Sequence, residues 1–343
     1  MIMKLLFLSF ILLFLTASSC HKNPEISIVP IVTDSSFFVK GADVSWLTEM
    51  ESKGIKFYNK KGSQQDLFQI LKDEGMNSIR LRVWVNPAGG WCNTKDVLTK
   101  ALHAKALGMK ILIDFHYSDS WADPGKQNKP AAWQNENIAQ LDSTVKAYTT
   151  GVLDTLQANG ISPDWVQVGN ETNDGMLWPE GKASANMANF ASLVNAAYDA
   201  VKSVFPSAKV IVHISNGFDN SLFRWIFDGL KNNGAKWDVI GMSLYPTASN
   251  WKQLNAQCLL NMRDMVSRYN KQVMICEIGM SENDSLSCKD FILDLSQKSR
   301  SIADNKCLGI FYWEPECYGN WNGYTLGAFN NSGQPTVALD AFQ

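Results

Sequence analysis

Two glutamates follow short apolar runs: Glu171 closes on residues 165–168 within Gly169-Asn170-Glu171-Thr172-Asn173, and Glu277 follows residues 272–276. A carboxyl pair flanking one bond can hydrolyse a glycoside, because one carboxyl protonates the leaving oxygen while the other stabilises or captures the oxocarbenium-like carbon. Asn170 suits a sugar hydroxyl near that carbon. Arg80 and Arg82 alternate onto one side of the run Arg80-Leu81-Arg82-Val83-Trp84. There they can keep Glu277 ionised through charge-assisted hydrogen bonds, with Tyr245 as a further donor. Either glutamate alone would as readily be an ordinary arginine partner. The two together, with an asparagine beside one, point to catalysis.

His116, in Asp114-Phe115-His116-Tyr117, and His213 can tune the acid/base or bind substrate, and each equally suits a satisfied core position. With Asp114 they make a metallohydrolase the second enzyme reading, although neither H-x-H nor H-E-x-x-H spacing is present. Tryptophan is the unusual component: 12 Trp accompany 17 Phe and 9 Tyr, more than a core of this size needs. Flat rings stack on the C–H faces of sugars, so Trp84, Trp121, Trp178 and Trp313 are candidate stacking surfaces, while most other aromatics read as core.

These residues need a scaffold that brings strand ends together. Apolar or β-branched runs occur at 37–44, 78–85, 110–115, 165–168, 209–214, 239–244, 272–276 and 308–313. Between them lie segments with helical spacing, such as 62–75 and 94–108, each closed by a glycine able to cap a helix. The last helix is short, near 335–342. Eight alternations predict an α/β fold, a (β/α)8 TIM barrel as one domain over 37–343. A doubly wound sheet is the rival, but no G-x-G-x-x-G or Walker A follows the first strand, which ends Asp43-Val44-Ser45-Trp46. In a barrel, strands four and seven face each other across the mouth, where functional residues gather.

The net charge of −2, from 31 basic and 33 acidic residues, offers no electrostatic basis for a nucleic-acid partner. Lys4, the apolar stretch 5–15 and the small residues Thr16 to Ser19 lead to Cys20. Residues 1–20 therefore read as a lipoprotein signal with Cys20 lipidated, and 21–36 as a tether; an ordinary secretory peptide is the alternative. The expectation is an exported monomer, lipid-anchored to a bacterial outer membrane at the cell surface. The other cysteines are Cys92, Cys258, Cys276, Cys288, Cys307 and Cys317. Cys276 and Cys307 read as buried thiols. The six allow fifteen complete pairings, between which the sequence does not choose; Cys92 and Cys317, in loops after strands two and eight, are one pair whose loops could meet, and a disulfide there would rigidify the cleft rim.

At several of these stretches the chain resembles the endo-β-1,4-galactanases of glycoside hydrolase family 53. They are residues 41–45 leading to 54–58, 80–87 (RLRVWVNP), 114–127 (DFHYSDSWADPGKQ), 166–179 (VQVGNETNDGMLWP) and 311–315 (FYWEP). The resemblance implies a retaining (β/α)8 glycosidase with Glu171 as acid/base and Glu277 as nucleophile. It implies cleavage of β-1,4-galactan, the side chain of type I arabinogalactan in pectin, to galacto-oligosaccharides without a cofactor. Substrate contacts are expected from Asn170, Arg80, Arg82, Asp114, His116, Trp121, His213, Tyr245, Trp313 and Trp84. Departures at Thr247-Ala248-Ser249, at 278–281 and in the short loop 88–92 bear on the outer sugar subsites. Some bacterial relatives bind structural calcium; here only Glu282, Asp284 and Glu316 offer oxygens, so no metal is expected. A β-mannanase, a β-1,4-glucanase and a catalytically dead glycan-binding lipoprotein are the competing functions.

Overall fold

The computed structural model describes residues 37–343; the leader, Cys20 and the tether 21–36 lie outside the described residues. Eight strands close a barrel in the order β1 to β8, every neighbouring pair parallel. They are β1 (Val39–Asp43), β2 (Ser78–Val83), β3 (Lys110–Phe115), β4 (Trp165–Val168), β5 (Lys209–Ile214), β6 (Val239–Leu244), β7 (Gln272–Ile278) and β8 (Cys307–Trp313). Strands β2 and β6 are buried at every residue, as expected where helices cover one face and the barrel interior the other. Near the base the interior is apolar, filled by Val39, Leu112, Trp165, Ile211, Val239, Met274 and Phe311. Above that layer the inward residues turn polar: Arg82, Asp114 and Gln167 stand level on β2, β3 and β4.

The helices are α1 (Leu47–Ser52), α2 (Leu67–Asp73), α3 (Thr94–Ala106), α4 (Ile138–Ala158), α5 (Met187–Val204), α6 (Asn220–Asn232), α7 (Trp251–Tyr269) and α8 (Ser285–Arg300). Their starts follow capping chemistry: Asp66, Asn93 and Asp219 each accept a backbone N–H of the first turn, and Asn137 with Gln140 forms a full capping box on α4. Leu141, Val145, Val152, Leu153 and Leu156 make the buried stripe of α4. The short last helix is a 3-10 turn, Val337–Phe342.

Two details differ from the sequence expectation. Strand β7 runs on to Ile278, so Glu277 lies inside a strand whose register shifts against both neighbours. Such bulges re-aim side chains and cluster beside active sites. The rim disulfide is absent: Cys92 and Cys317 are both free and buried. The Cys92 thiol instead faces the Ser45 carbonyl at 3.5 Å, while Cys317 turns towards Glu314 and Glu316, their donor atoms within 4.8 Å of one another. Cys276 and Cys307 are buried free thiols as expected.

Candidate active site

The mouth of the barrel is organised around Arg80, fully buried on β2. Its guanidinium meets Asp43 at 2.6 Å, Asp114 at 2.9 Å and Glu277 at 2.8 Å, and also donates to Gln167 and Asn170. Buried charges cost several kcal/mol each unless paired and hydrogen-bonded, and here one cation serves three carboxylates. Burial raises the Asp114 carboxyl, but the Arg80 charge and then His116 outweigh it and hold Asp114 below its ordinary value.

Glu277 receives a second donor from above, the Tyr245 hydroxyl at 2.9 Å from its Oε2. Glu171 has different surroundings. Gly169, at φ +88°, makes the turn out of β4, and Glu171 itself holds φ 45°, the left-handed region where a non-glycine residue is strained. Its Oε1 accepts only the Ser243 hydroxyl, at 2.7 Å, and that oxygen faces Nε2 of His213 at 2.9 Å. Nδ1 of His213 lies 3.4 Å from the Glu171 backbone N–H and 3.0 Å from the Gln167 amide nitrogen. Asn170 Oδ1 also faces Nδ1, at 3.0 Å, and His213, Ser243 and Glu171 stand in one hydrogen-bonded row. Burial keeps His213 well below its ordinary value, hence neutral. His116 is likewise lowered by burial, with Nε2 on Asp114 at 2.9 Å and Nδ1 facing the Trp84 indole N–H at 3.3 Å.

Burial raises both Glu171 and Glu277, and the Glu171 charge raises Glu277 further. Two such carboxyls titrate as one unit that retains a proton near neutral pH. Glu277 alone holds a guanidinium and a phenol, so the anion belongs there and the proton on Glu171. The arrangement places two carboxyls in unlike settings in one cavity of about 430 Å³, lined by both glutamates with His116, Trp121, Asn170, Ser243, Tyr245 and Trp313. A second cavity of about 620 Å³ shares Trp121 and Trp313 as a common wall and adds Trp46, Trp84 and Trp91.

Comparison with known proteins decides the family. The profile of glycosyl hydrolase family 53 matches residues 39–290. The chain belongs to that family. It is 33% identical to the arabinogalactan endo-beta-1,4-galactanase of Thermothelomyces thermophilus, covering 89% of this chain and 98% of that one. It is 35% identical to a probable arabinogalactan endo-beta-1,4-galactanase A of Neosartorya fischeri, over 83% of this chain and 85% of that one. Among solved structures, one from a study of two fungal beta-1,4-galactanases superposes with a TM-score of 0.82 at 32% identity, over 90% of this chain and 99% of that one. The family 53 catalytic domain of Ignisphaera aggregans gives 0.82 at 32% identity, over 92% of this chain and 98% of that one.

As a family 53 glycoside hydrolase, the chain carries most of its expected site residues at the mouth. Asn170, His116, Trp121, Tyr245 and Trp313 line the cavity of the two glutamates, and Trp84 lines the neighbouring one. Arg80, Asp114 and His213 are fully buried beneath and act through the groups they hold. Arg82 departs from expectation: its partner is Glu314 at 3.1 Å, not Glu277, because one pitch along β2 it reaches β8 instead of β7. Trp178 borders neither cavity; its indole donates to the Asp174 carbonyl at 2.8 Å and its ring carries Lys182.

Four contributors were assigned no role from the sequence: Ser243, Gln167, Asp43 and Glu314. Gln167 had a legible signal, the lone polar residue in the buried run Trp165-Val166-Gln167-Val168. The calcium oxygens do not assemble among the described residues. Glu316 is fully buried beside Glu314 and Cys317, apart from Glu282 and Asp284, and two carboxyls with a thiol do not offer the six to eight oxygens of a calcium site.

Proposed function

We propose that this family 53 hydrolase is an exported, retaining endo-β-1,4-galactanase, with Glu171 as acid/base and Glu277 as nucleophile. The observation that carries the reading is the unlike setting of two carboxyls in one cavity: Arg80 at 2.8 Å and Tyr245 at 2.9 Å on Glu277, and only the Ser243 hydroxyl on Glu171. Glu277 attacks the anomeric carbon while Glu171 gives its proton to the departing glycosidic oxygen, leaving a glycosyl ester on Glu277. Esterification removes the Glu277 charge, so the Glu171 carboxyl becomes more acidic. It then takes a proton from water as that water attacks the same carbon and frees Glu277. The reaction needs no cofactor.

The substrate class rests on the relatives, which are named for arabinogalactan and β-1,4-galactan cleavage. Two cavities with a common aromatic wall suit a polysaccharide lying across the mouth and cut internally. A lipid anchor at Cys20 would hold a monomeric enzyme at the outer membrane, where a polymer too large for porins is met. Incubation with β-1,4-galactan, β-mannan and β-1,4-glucan, followed by sizing of the products, tests the reading. Galacto-oligosaccharides are expected from galactan alone. Cleavage of mannan or glucan with galactan untouched would transfer the chain to a related specificity, and no turnover at all would leave a binding protein.

A further inference from the structure

Arg82 is a buried charge that the reaction does not use. Its side chain is fully buried, yet only Nη1 has an oxygen partner, Glu314 at 3.1 Å; Nε and Nη2 have none. Those N–H groups lie among indoles. The Arg82 Cζ is 4.3 Å from the ring centroid of Trp121, 4.8 Å from Trp84 and 5.6 Å from Trp46. A planar guanidinium can present faces and edges to several rings at once, and desolvation strengthens its attraction to each. The same rings touch one another edge to face, Trp46 to Trp121 at 5.4 Å and Trp84 to Trp121 at 5.0 Å, and Trp46 meets Trp313 at 5.3 Å. Glu314 completes the frame. One of its carboxyl oxygens takes Arg82 and the other accepts the Trp46 backbone N–H at 3.1 Å.

All four tryptophans line the larger cavity, beside the one holding Glu171 and Glu277. We propose that Arg82, anchored by Glu314, is a positioning residue that orients the Trp46, Trp84 and Trp121 wall and so sets the grip on sugar units beyond the scissile bond. The pair touches neither glutamate of the reaction, so its effect is on how much chain is held and not on bond cleavage. This rests on the galactan reading for its kinetic readout only.

The test is Arg82→Lys, which keeps a cation for Glu314 but replaces the flat fork with a point charge. The KM for galactan should rise about tenfold, equivalent to about 1.4 kcal/mol, while kcat stays within about threefold. The gain in kcat/KM with galacto-oligosaccharide length seen in the parent should flatten, and the near-ultraviolet circular dichroism of the tryptophans should change. Should the lysine variant not fold, the double variant Arg82→Met with Glu314→Gln removes both charges and is read in the same way. An unchanged length dependence with an unchanged near-ultraviolet spectrum overturns the proposal. So does a fall in kcat at constant KM, which would assign Arg82 to the reacting groups. Failure of the parent enzyme to cut galactan would sink the galactan reading instead, leaving the spectrum to decide the positioning role.

Discussion

Ser243 donates its hydroxyl to Glu171 Oε1 across 2.7 Å, and this bond favours the ionised form of that carboxyl. Removing it should raise the Glu171 pKa. In the proposed mechanism Glu171 is protonated for the first step, so the alkaline limb of kcat/KM should move to higher pH in Ser243→Ala. A hydrogen bond to a charged group is worth roughly 1.5–3 kcal/mol, so a shift of about one to two pH units is expected. A limb that stays put, or moves down, would show that Ser243 does not tune Glu171.

The two glutamates should fail differently. Glu277→Ala should abolish turnover of every substrate. Glu171→Ala should lose about a hundred- to ten-thousand-fold on galactan, the usual contribution of general acid–base catalysis. It should keep activity on aryl glycosides whose leaving groups need no proton, and azide should rescue it by attacking the glycosyl-enzyme. Full activity in either variant, or inverted anomeric configuration in the first product seen by NMR, removes the mechanism.

Glu314 and Glu316 are fully buried neighbours, and both are raised by burial: Glu314 to about 7, with Asp43 adding to the rise, and Glu316 well above its ordinary value by the Glu314 charge. An unfolded glutamate titrates near about 4.3, so above that pH the folded chain holds more protons than the unfolded one. Stability should therefore fall as pH rises from about 4.3 through the folded values. Glu316→Gln removes one of these protonation demands and supplies an amide donor to Glu314. The loss of Tm between about pH 5 and about pH 8 should be smaller in the variant than in the parent. Parallel Tm profiles would mean that Glu316 does not contribute to the loss of stability with rising pH.

Trp313 ends β8 where both cavities meet, stacked edge-on to Tyr324 at 4.8 Å. Trp313→Ala should raise KM and lower kcat, each by about tenfold, because the ring both seats the sugar and shapes its transition state. Steady-state kinetics identical to the parent would return Trp313 to the role of packing.

Cys20→Ala should move the protein from the membrane pellet to the soluble fraction of expressing cells. Stable anchoring takes more than one acyl chain, which a lipidated N-terminal cysteine carries. Retention in the pellet would argue against the lipoprotein signal.

Much of this molecule was readable along the chain because its signals are local. Eight apolar runs spaced by amphipathic segments specify a barrel, since each run needs only its neighbours to be buried. Six of the eight strands end within a residue of their runs; β2 stops at Val83 and β7 runs on to Ile278. Glu171 and Glu277 were legible because each sits at the end of such a run. The partners of the buried charges were not. Arg80 and Arg82 look alike two residues apart, but only closure of the barrel against β8 gives Arg82 to Glu314, 232 residues away, and leaves Glu277 to Arg80. Ser243 became a site residue through the register shift between β6 and β7, and Cys92 stayed a thiol because its sulfur turned to the Ser45 carbonyl. Burial of a run depends on its own composition. The direction of a polar side chain inside the barrel depends on shear, bulges and ring closure, and those exist only once all eight strands have met.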